Sequence, residues 1–186
     1  IVVRLVGSEM CIRDSCSYLL SKGFFTSQRT DLSEIRKLLK TISPKKLAKD
    51  NIRIGGNNDG GYIVPNDLIG IDYCFSPGVG NLINFENDLI KKGIKCFLAD
   101  HSIEKINNTQ FIDFEKKFVG STTDENYITL KDWISSKIDF KNNNELILQL
   151  DVEGDEYNIL NSLDIRTLKK FRIILIEFHQ LHYIFD

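Results

Sequence analysis

The sequence predicts an α/β fold, a mostly parallel sheet with helices on both faces. Three observations carry that prediction. Residues 71–75, 95–99, 146–152 and 172–178 are short, nearly continuous apolar runs, the pattern of strands buried on both sides. Segments with helical spacing lie between them. A glycine turn, "SPGVGN", follows the first run, and Asp100 closes the second roughly twenty residues later.

Taken in order, residues 1–15 stand apart. "VGSEMCIRDS" has no clear amphipathic period, makes a poor signal peptide, and resembles a translated sequencing adapter. The expectation is a non-native or disordered segment, which the underlying codons would test. Residues 16–50 form an N-terminal helical segment: Asp31 and Glu34 have capping-box spacing, and Leu32, Ile35, Leu38 and Leu39 follow at helical intervals. A second short helix is predicted after Ser43, with Pro44 in its first turn.

The main domain is predicted over 51–186. Residues 52–64, "IRIGGNNDGGYIV", read as two β segments around an Asn/Asp/Gly turn. After the first strand and its glycine turn comes a helix over 85–92, stopped by Gly93. The second strand covers 95–99, and 111–119 is predicted as a third, ended by Gly120. Thr129 caps a helix carrying Leu130, Trp133, Ile134 and Ile138. The fourth strand (146–152) leads into a short helix over 155–163, a further helical turn near 165–169, and the fifth strand, 172–178.

Composition narrows the function classes. A net charge of −2 gives no global reason to expect nucleic acid or an anionic membrane as partner. Lysine pairs such as Lys45–Lys46 and Lys116–Lys117 read as solvated faces. Cys11, Cys16, Cys74 and Cys96 contain no CxxC pair, and neither a disulfide framework nor a zinc cluster is indicated. A reducing, cytoplasmic setting follows. No apolar run reaches the length of about 18–20 residues needed to span a bilayer.

In open parallel sheets, ligands bind beyond the carboxyl ends of the strands. Gly78 and Gly80 allow a sharp turn and close backbone approach. Asp100 can accept from ribose hydroxyls, as an acid does in dinucleotide folds. The third glycine of GxGxxG is missing, Asn81–Ile83 standing there instead, which disfavours a pyrophosphate-held nicotinamide. A ligand with adenosine and an amino-acid tail fits better. The stretch "LQLDVEGDE" adds Asp151, Glu153, Asp155 and Glu156 at the end of the fourth strand. Asp155 and Glu156 suit a helix N-terminus, leaving Asp151 and Glu153 for the cleft.

Together, "NDGGYIV", "FSPGVGNLINFENDLIKKG", "CFLAD", "ITLKDWI", "LQLDVEGDE" and "ILIEFH" resemble the FkbM-type family of S-adenosylmethionine-dependent methyltransferases, in its DGGY-containing branch. The resemblance covers about 52–179 and implies a Rossmann-like class I methyltransferase fold of seven strands, the last antiparallel. It implies S-adenosylmethionine as cofactor, with Gly78 and Gly80 around its methionine moiety and Asp100 on its ribose. Asp151 then faces the cofactor amine or the incoming substrate, Glu153 belongs to the same motif, and Asp59 and Tyr62 close over the cofactor. The chain ends after the fifth strand, so the resemblance also leads to the expectation of a fragment lacking its closing strands.

Methyl transfer to a hydroxyl needs positioning and a base. Asp151, Glu153 and His179 are the catalytic candidates, although Asp151 could hold the ammonium and His179 could be a satisfied strand-end histidine. His101 and His182 read as incidental. The expected acceptor is a small molecule or a saccharide, methylated on oxygen. Two rivals remain: a noncatalytic nucleotide-binding or interaction module, and a metal-dependent enzyme using Asp151, Glu153 and His179 as ligands. No metal is assigned.

Overall fold

The computed structural model describes residues 18–23, 30–58, 60–139, 142 and 144–181. The expectations for residues 1–15, Cys11, Cys16, Asp59 and His182 fall outside them. Two units divide the chain, Ile1–Lys45 with Leu181–Asp186, and Lys46–Gln180.

In the first unit, α1 (Leu32–Thr41) starts where the sequence predicts. Asp31 caps it, its Oδ1 accepting from the Ser33 N–H at 2.6 Å. Of the four apolar residues expected on its face, Ile35 is buried, while Leu32, Leu38 and Leu39 are exposed. The helix predicted after Ser43 is absent: residues 43–50 are irregular and Leu47 is half exposed. The five residues between Pro44 and Asp50 are too few to repay helix nucleation without an apolar face to bury.

The second unit opens with the expected hairpin. β1 (Asn51–Ile54) pairs antiparallel with β2 (Tyr62–Pro65), Ile52 opposite Val64. Next come β3 (Tyr73–Pro77), α2 (Asn84–Ile90), β4 (Lys95–Ala99) and β5 (Ile112–Glu115). β6 (Phe118–Gly120), β7 (Tyr127–Thr129) and α3 (Leu130–Lys137) follow. The chain closes through β8 (Leu146–Leu150), α4 (Glu156–Ser162), α5 (Ile165–Leu168) and β9 (Phe171–Ile176).

Five of these strands form one parallel sheet in the order β5-β4-β3-β8-β9. The alternation of side chains along each strand divides the core in two. On one face Cys74, Cys96 and Ile147 pack with Phe85 and Leu89 of α2. On the other, Phe75, Phe97 and Leu148 pack with Trp133 and Ile134 of α3. The Phe75 and Phe97 rings stack at 4.8 Å, with Trp133 edge-on to Phe75. Both faces are therefore covered, as the apolar runs required. The seven strands implied by the resemblance compare with five in this sheet among the described residues.

One predicted strand is two. Residues 111–119 split into β5 of the main sheet and β6, which pairs parallel with β7 in a separate ribbon. The polar pair Lys116–Lys117 marks the break, and the Lys117 N–H donates back to the Glu115 carbonyl in a tight turn. No helix of the described residues is long and apolar enough to cross a membrane.

Candidate active site

Strand order reverses between β3 and β8, where two loops leave adjacent parallel strands side by side. The loop after β3 carries Gly78 and Gly80; the loop after β8 carries Asp151 and Glu153. Gly78 has φ +80°, and a Cβ there would lie 1.5 Å from the Asp151 carbonyl oxygen. Only glycine lets these loops touch. Gly80, with φ +53°, has open space where its Cβ would project.

A cavity of about 630 Å³ opens at this crevice. Its lining includes Gly78, Gly80, Asp100, Phe118, Tyr127 and Asp151. Asp100 is buried at the end of β4. Its Oδ2 accepts from the Gly80 N–H at 3.1 Å, and its Oδ1 from the Ser102 N–H and hydroxyl at 2.8 and 2.6 Å. A carboxylate has about four acceptor positions, so these three donors hold it rigidly and leave capacity for a ligand hydroxyl. The Phe118 and Tyr127 rings, 5.4 Å apart, form an aromatic part of the wall, and His101 lies against Phe118 at 4.8 Å.

Asp151 lives differently. One neutral donor reaches it, the Tyr62 hydroxyl at 3.3 Å. Burial and the neighbouring Glu177 carboxylate raise its pKa to about 6, against the pull of His179. His179 follows β9; its Nε2 lies 3.9 Å from Asp151 Oδ1 and 3.4 Å from Glu153 Oε2. Its other nitrogen, Nδ1, meets Glu156 Oε1 at 2.8 Å. That contact is the largest reason the imidazolium is favoured, burial opposing it and the Glu156, Glu153 and Asp151 charges adding to it.

Glu156 is more than the helix-start acid that its position predicts. Its side chain is fully buried, and Oε1 also accepts from the N–H groups of Gly154 and Val152. Burial pushes its carboxyl up, but the Gly154 N–H, the His179 ring and the Val152 N–H together hold it below its usual range. It thus ties the β8 loop to the histidine. Asp155 occupies the N-cap position of α4 without a capping bond, its Oδ1 accepting instead from the Asn158 amide.

The predicted residues therefore divide. Gly78, Gly80, Asp100, Asp151 and Glu153 line one cavity, and Tyr62 and His179 contact Asp151 from β2 and from the loop after β9. Glu153 is 86% exposed and sits at φ +58°, an unfavourable backbone for a residue with a Cβ. The sequence reading missed Glu177. With Asp151 and His179 it forms a trio whose ligand atoms lie within 4.8 Å of one another, the spacing a divalent ion could bridge. Glu177 thus takes the place given to Glu153 in the metal alternative. Phe118 and Tyr127 were also missed; the only available signal was an aromatic residue at each end of the segment after the third strand.

No curated relative and no solved structure matches the chain. The sequence model of the methyltransferase FkbM domain does match, over residues 44–186, a span that takes in the whole parallel sheet and every residue of this crevice. The chain belongs to the FkbM methyltransferase family.

Proposed function

We propose that this chain binds S-adenosylmethionine in the crevice between the β3 and β8 loops and methylates an oxygen of a small-molecule or saccharide-like acceptor. One observation carries the reading: a glycine turn, a rigidly held buried acid and a second acid of raised pKa border a single cavity at the switch in strand order. The residues fit such a cofactor. Asp100 retains acceptor capacity for a ribose hydroxyl, Phe118 and Tyr127 offer faces to an adenine, and Gly80 leaves room for close approach. No pyrophosphate cradle is needed.

When bound, the donor supplies a methyl group already activated for displacement. The chain then has to hold the acceptor in line and remove its proton. Asp151 is suited to that removal, because a carboxyl titrating at about 6 is ionised yet basic at neutral pH. His179 steadies it as an imidazolium anchored on Glu156. Glu153, exposed at the rim, is placed to meet the acceptor. Tyr62 and the neighbouring Asp59 of the DGGY segment would close over the cofactor. The buried free thiols Cys74 and Cys96 suit a reducing cytoplasm.

Calorimetric titration of the protein with S-adenosylmethionine and S-adenosylhomocysteine tests the assignment. Both should bind, and the D100A variant should bind neither at comparable concentration. Absence of binding by the parent protein removes the cofactor from the proposal. Binding without turnover on any hydroxylated acceptor would favour the noncatalytic module instead.

A further inference from the structure

Behind Asp151 a chain of polar side chains crosses an otherwise apolar region. The Tyr62 hydroxyl contacts Asp151 Oδ2 at 3.3 Å and receives the Gln149 amide N–H at 2.9 Å. Gln149 Oε1 lies 2.6 Å from Ser76 Oγ. Ser76 Oγ also contacts Oε1 of Glu86, the residue that starts the second half of the first turn of α2. Ser76, Gln149 and Glu86 are all buried, on β3, β8 and α2. Tyr62, Gln149, Glu86 and Asp151 also share a second cavity, of about 170 Å³.

Proton counting gives this chain a direction. Tyr62 has one proton, and because it accepts from Gln149 it is free to donate that proton to Asp151. Ser76 also has one proton, with acceptor oxygens on both sides. If it donates to Gln149, Glu86 must donate to Ser76, which only a protonated carboxyl can do. Its surroundings favour that form. Glu86 Oε2 is buried with no hydrogen-bond partner, and no lysine or arginine forms an ion pair with Glu86 among the described residues. Its titratable neighbours are thiols, Cys74 on β3 and Cys96 on β4, the latter against the Glu86 carbonyl. Burial raises the Glu86 pKa accordingly.

We propose that Glu86 is a positioning residue for this site: as a neutral acid it donates to Ser76, and through Ser76 and Gln149 it turns the Tyr62 hydroxyl proton toward Asp151. The proposal rests on Asp151 being the working carboxylate of the crevice. Four residues from four elements then act as one unit that keeps Asp151 the acceptor, although Glu86 touches neither ligand. Reversal of the Gln149 amide would turn the Tyr62 proton toward Gln149 and the Ser76 proton toward Glu86, leaving Asp151 without its hydroxyl donor.

The test uses E86Q, E86L, Y62F and the E86L/Y62F pair, checked for folding by thermal unfolding. Glutamine at 86 can still donate to Ser76, whereas leucine cannot. E86Q should bind S-adenosylmethionine within about twofold of the parent; E86L and Y62F should each weaken binding about five- to tenfold. The pair should lose no more than either single variant, because both cut the same chain. Additive losses, or an E86Q as weak as E86L, overturn the proposal. Should E86L not fold, S76A interrupts the chain at its centre and is read the same way. Infrared spectroscopy supplies an arm independent of the cofactor: the parent should show a buried carboxylic-acid stretch at neutral pH that E86Q lacks. Its absence overturns the proposal even where the cofactor binds, and its presence upholds the neutral acid even where the cofactor does not.

Discussion

Asp100 and Asp151 each follow a parallel strand, line the same cavity and lie near the same glycine turn, yet the chain treats them in opposite ways. Asp100 is met by the Gly80 and Ser102 N–H groups and the Ser102 hydroxyl, so its geometry is fixed before any ligand arrives. Asp151 has one hydroxyl donor at 3.3 Å and shares its surroundings with Glu153 and Glu177, relieved by His179. A well-anchored acid makes a rigid acceptor; an undersupplied one makes a base, or a seat for a positive charge. In the proposed function the first binds by preorganisation, and the second reacts because it is not satisfied.

The largest expected effect breaks the comparison by separating the two loops. Gly78→Ala puts a methyl group into the Asp151 carbonyl at a backbone angle that also resists a side chain. Backbone must move, and a loss of about 3–5 kcal/mol is expected in denaturant unfolding. Gly80→Ala, in the same turn but facing open space, should cost only about 1 kcal/mol. Equal losses would mean that the Gly78 contact does not hold the loops together.

Asp100→Ala attacks the preorganised partner. With the Gly80 and Ser102 donors freed, the turn loses its anchor and the proposed cofactor loses an acceptor for its ribose. Affinity for S-adenosylmethionine should fall about tenfold to a hundredfold in calorimetry. Unchanged affinity in the variant would mean that Asp100 does not hold the ribose.

Asp151→Asn should do the reverse and stabilise the fold. The folded-state pKa of about 6 lies above the ordinary 3.8, so the folded protein holds this proton more tightly than the unfolded chain does. The penalty of ionising Asp151 is absent below about 3.8, grows as pH rises toward 6, and is complete above it. At pH 7 the variant should gain about 1–3 kcal/mol in denaturant unfolding, and the gain should vanish near pH 4. With Asp151 as the proposed base, methyl transfer should be lost in the variant and should fall in the parent as pH drops through 6. A destabilised D151N would show that the carboxylate is better satisfied than its neighbours imply.

These two acids also mark how far the sequence could be read. Asp100 was legible because its task is local: a strand ends, a polar residue follows, and glycines stand one helix earlier. The parallel sheet was legible for a related reason, since "CFLA" and "LILQL" have no polar face to offer to water. Gln149 was the exception within that run. A lone amide in a strand buried along its length signals a partner, but it cannot say that the partners are Ser76 and Tyr62, from strands far apart in the chain. Glu177 and Glu156 were hidden in the same way, because their importance comes from converging on His179 and Asp151. Glu156 in particular has a local explanation at the start of α4, and that explanation conceals its burial.

The smallest effect bears on what balances Asp151. The positive charge beside it is either the His179 imidazolium or one that arrives with a ligand. His179→Gln removes the first while keeping an amide to meet Glu156. Because the folded state raises the His179 pKa, its stabilising contribution is fully present below about 6.5 and is lost as pH climbs through the higher folded value. The parent should therefore exceed the variant in stability by under about 1 kcal/mol at pH 6, and the gap should close on the alkaline side. With the imidazolium gone, Asp151 faces Glu153 and Glu177 alone, so the acidic limb of activity should move above 6. An unmoved limb would mean that the bound cofactor, rather than the histidine, sets the charge state of Asp151.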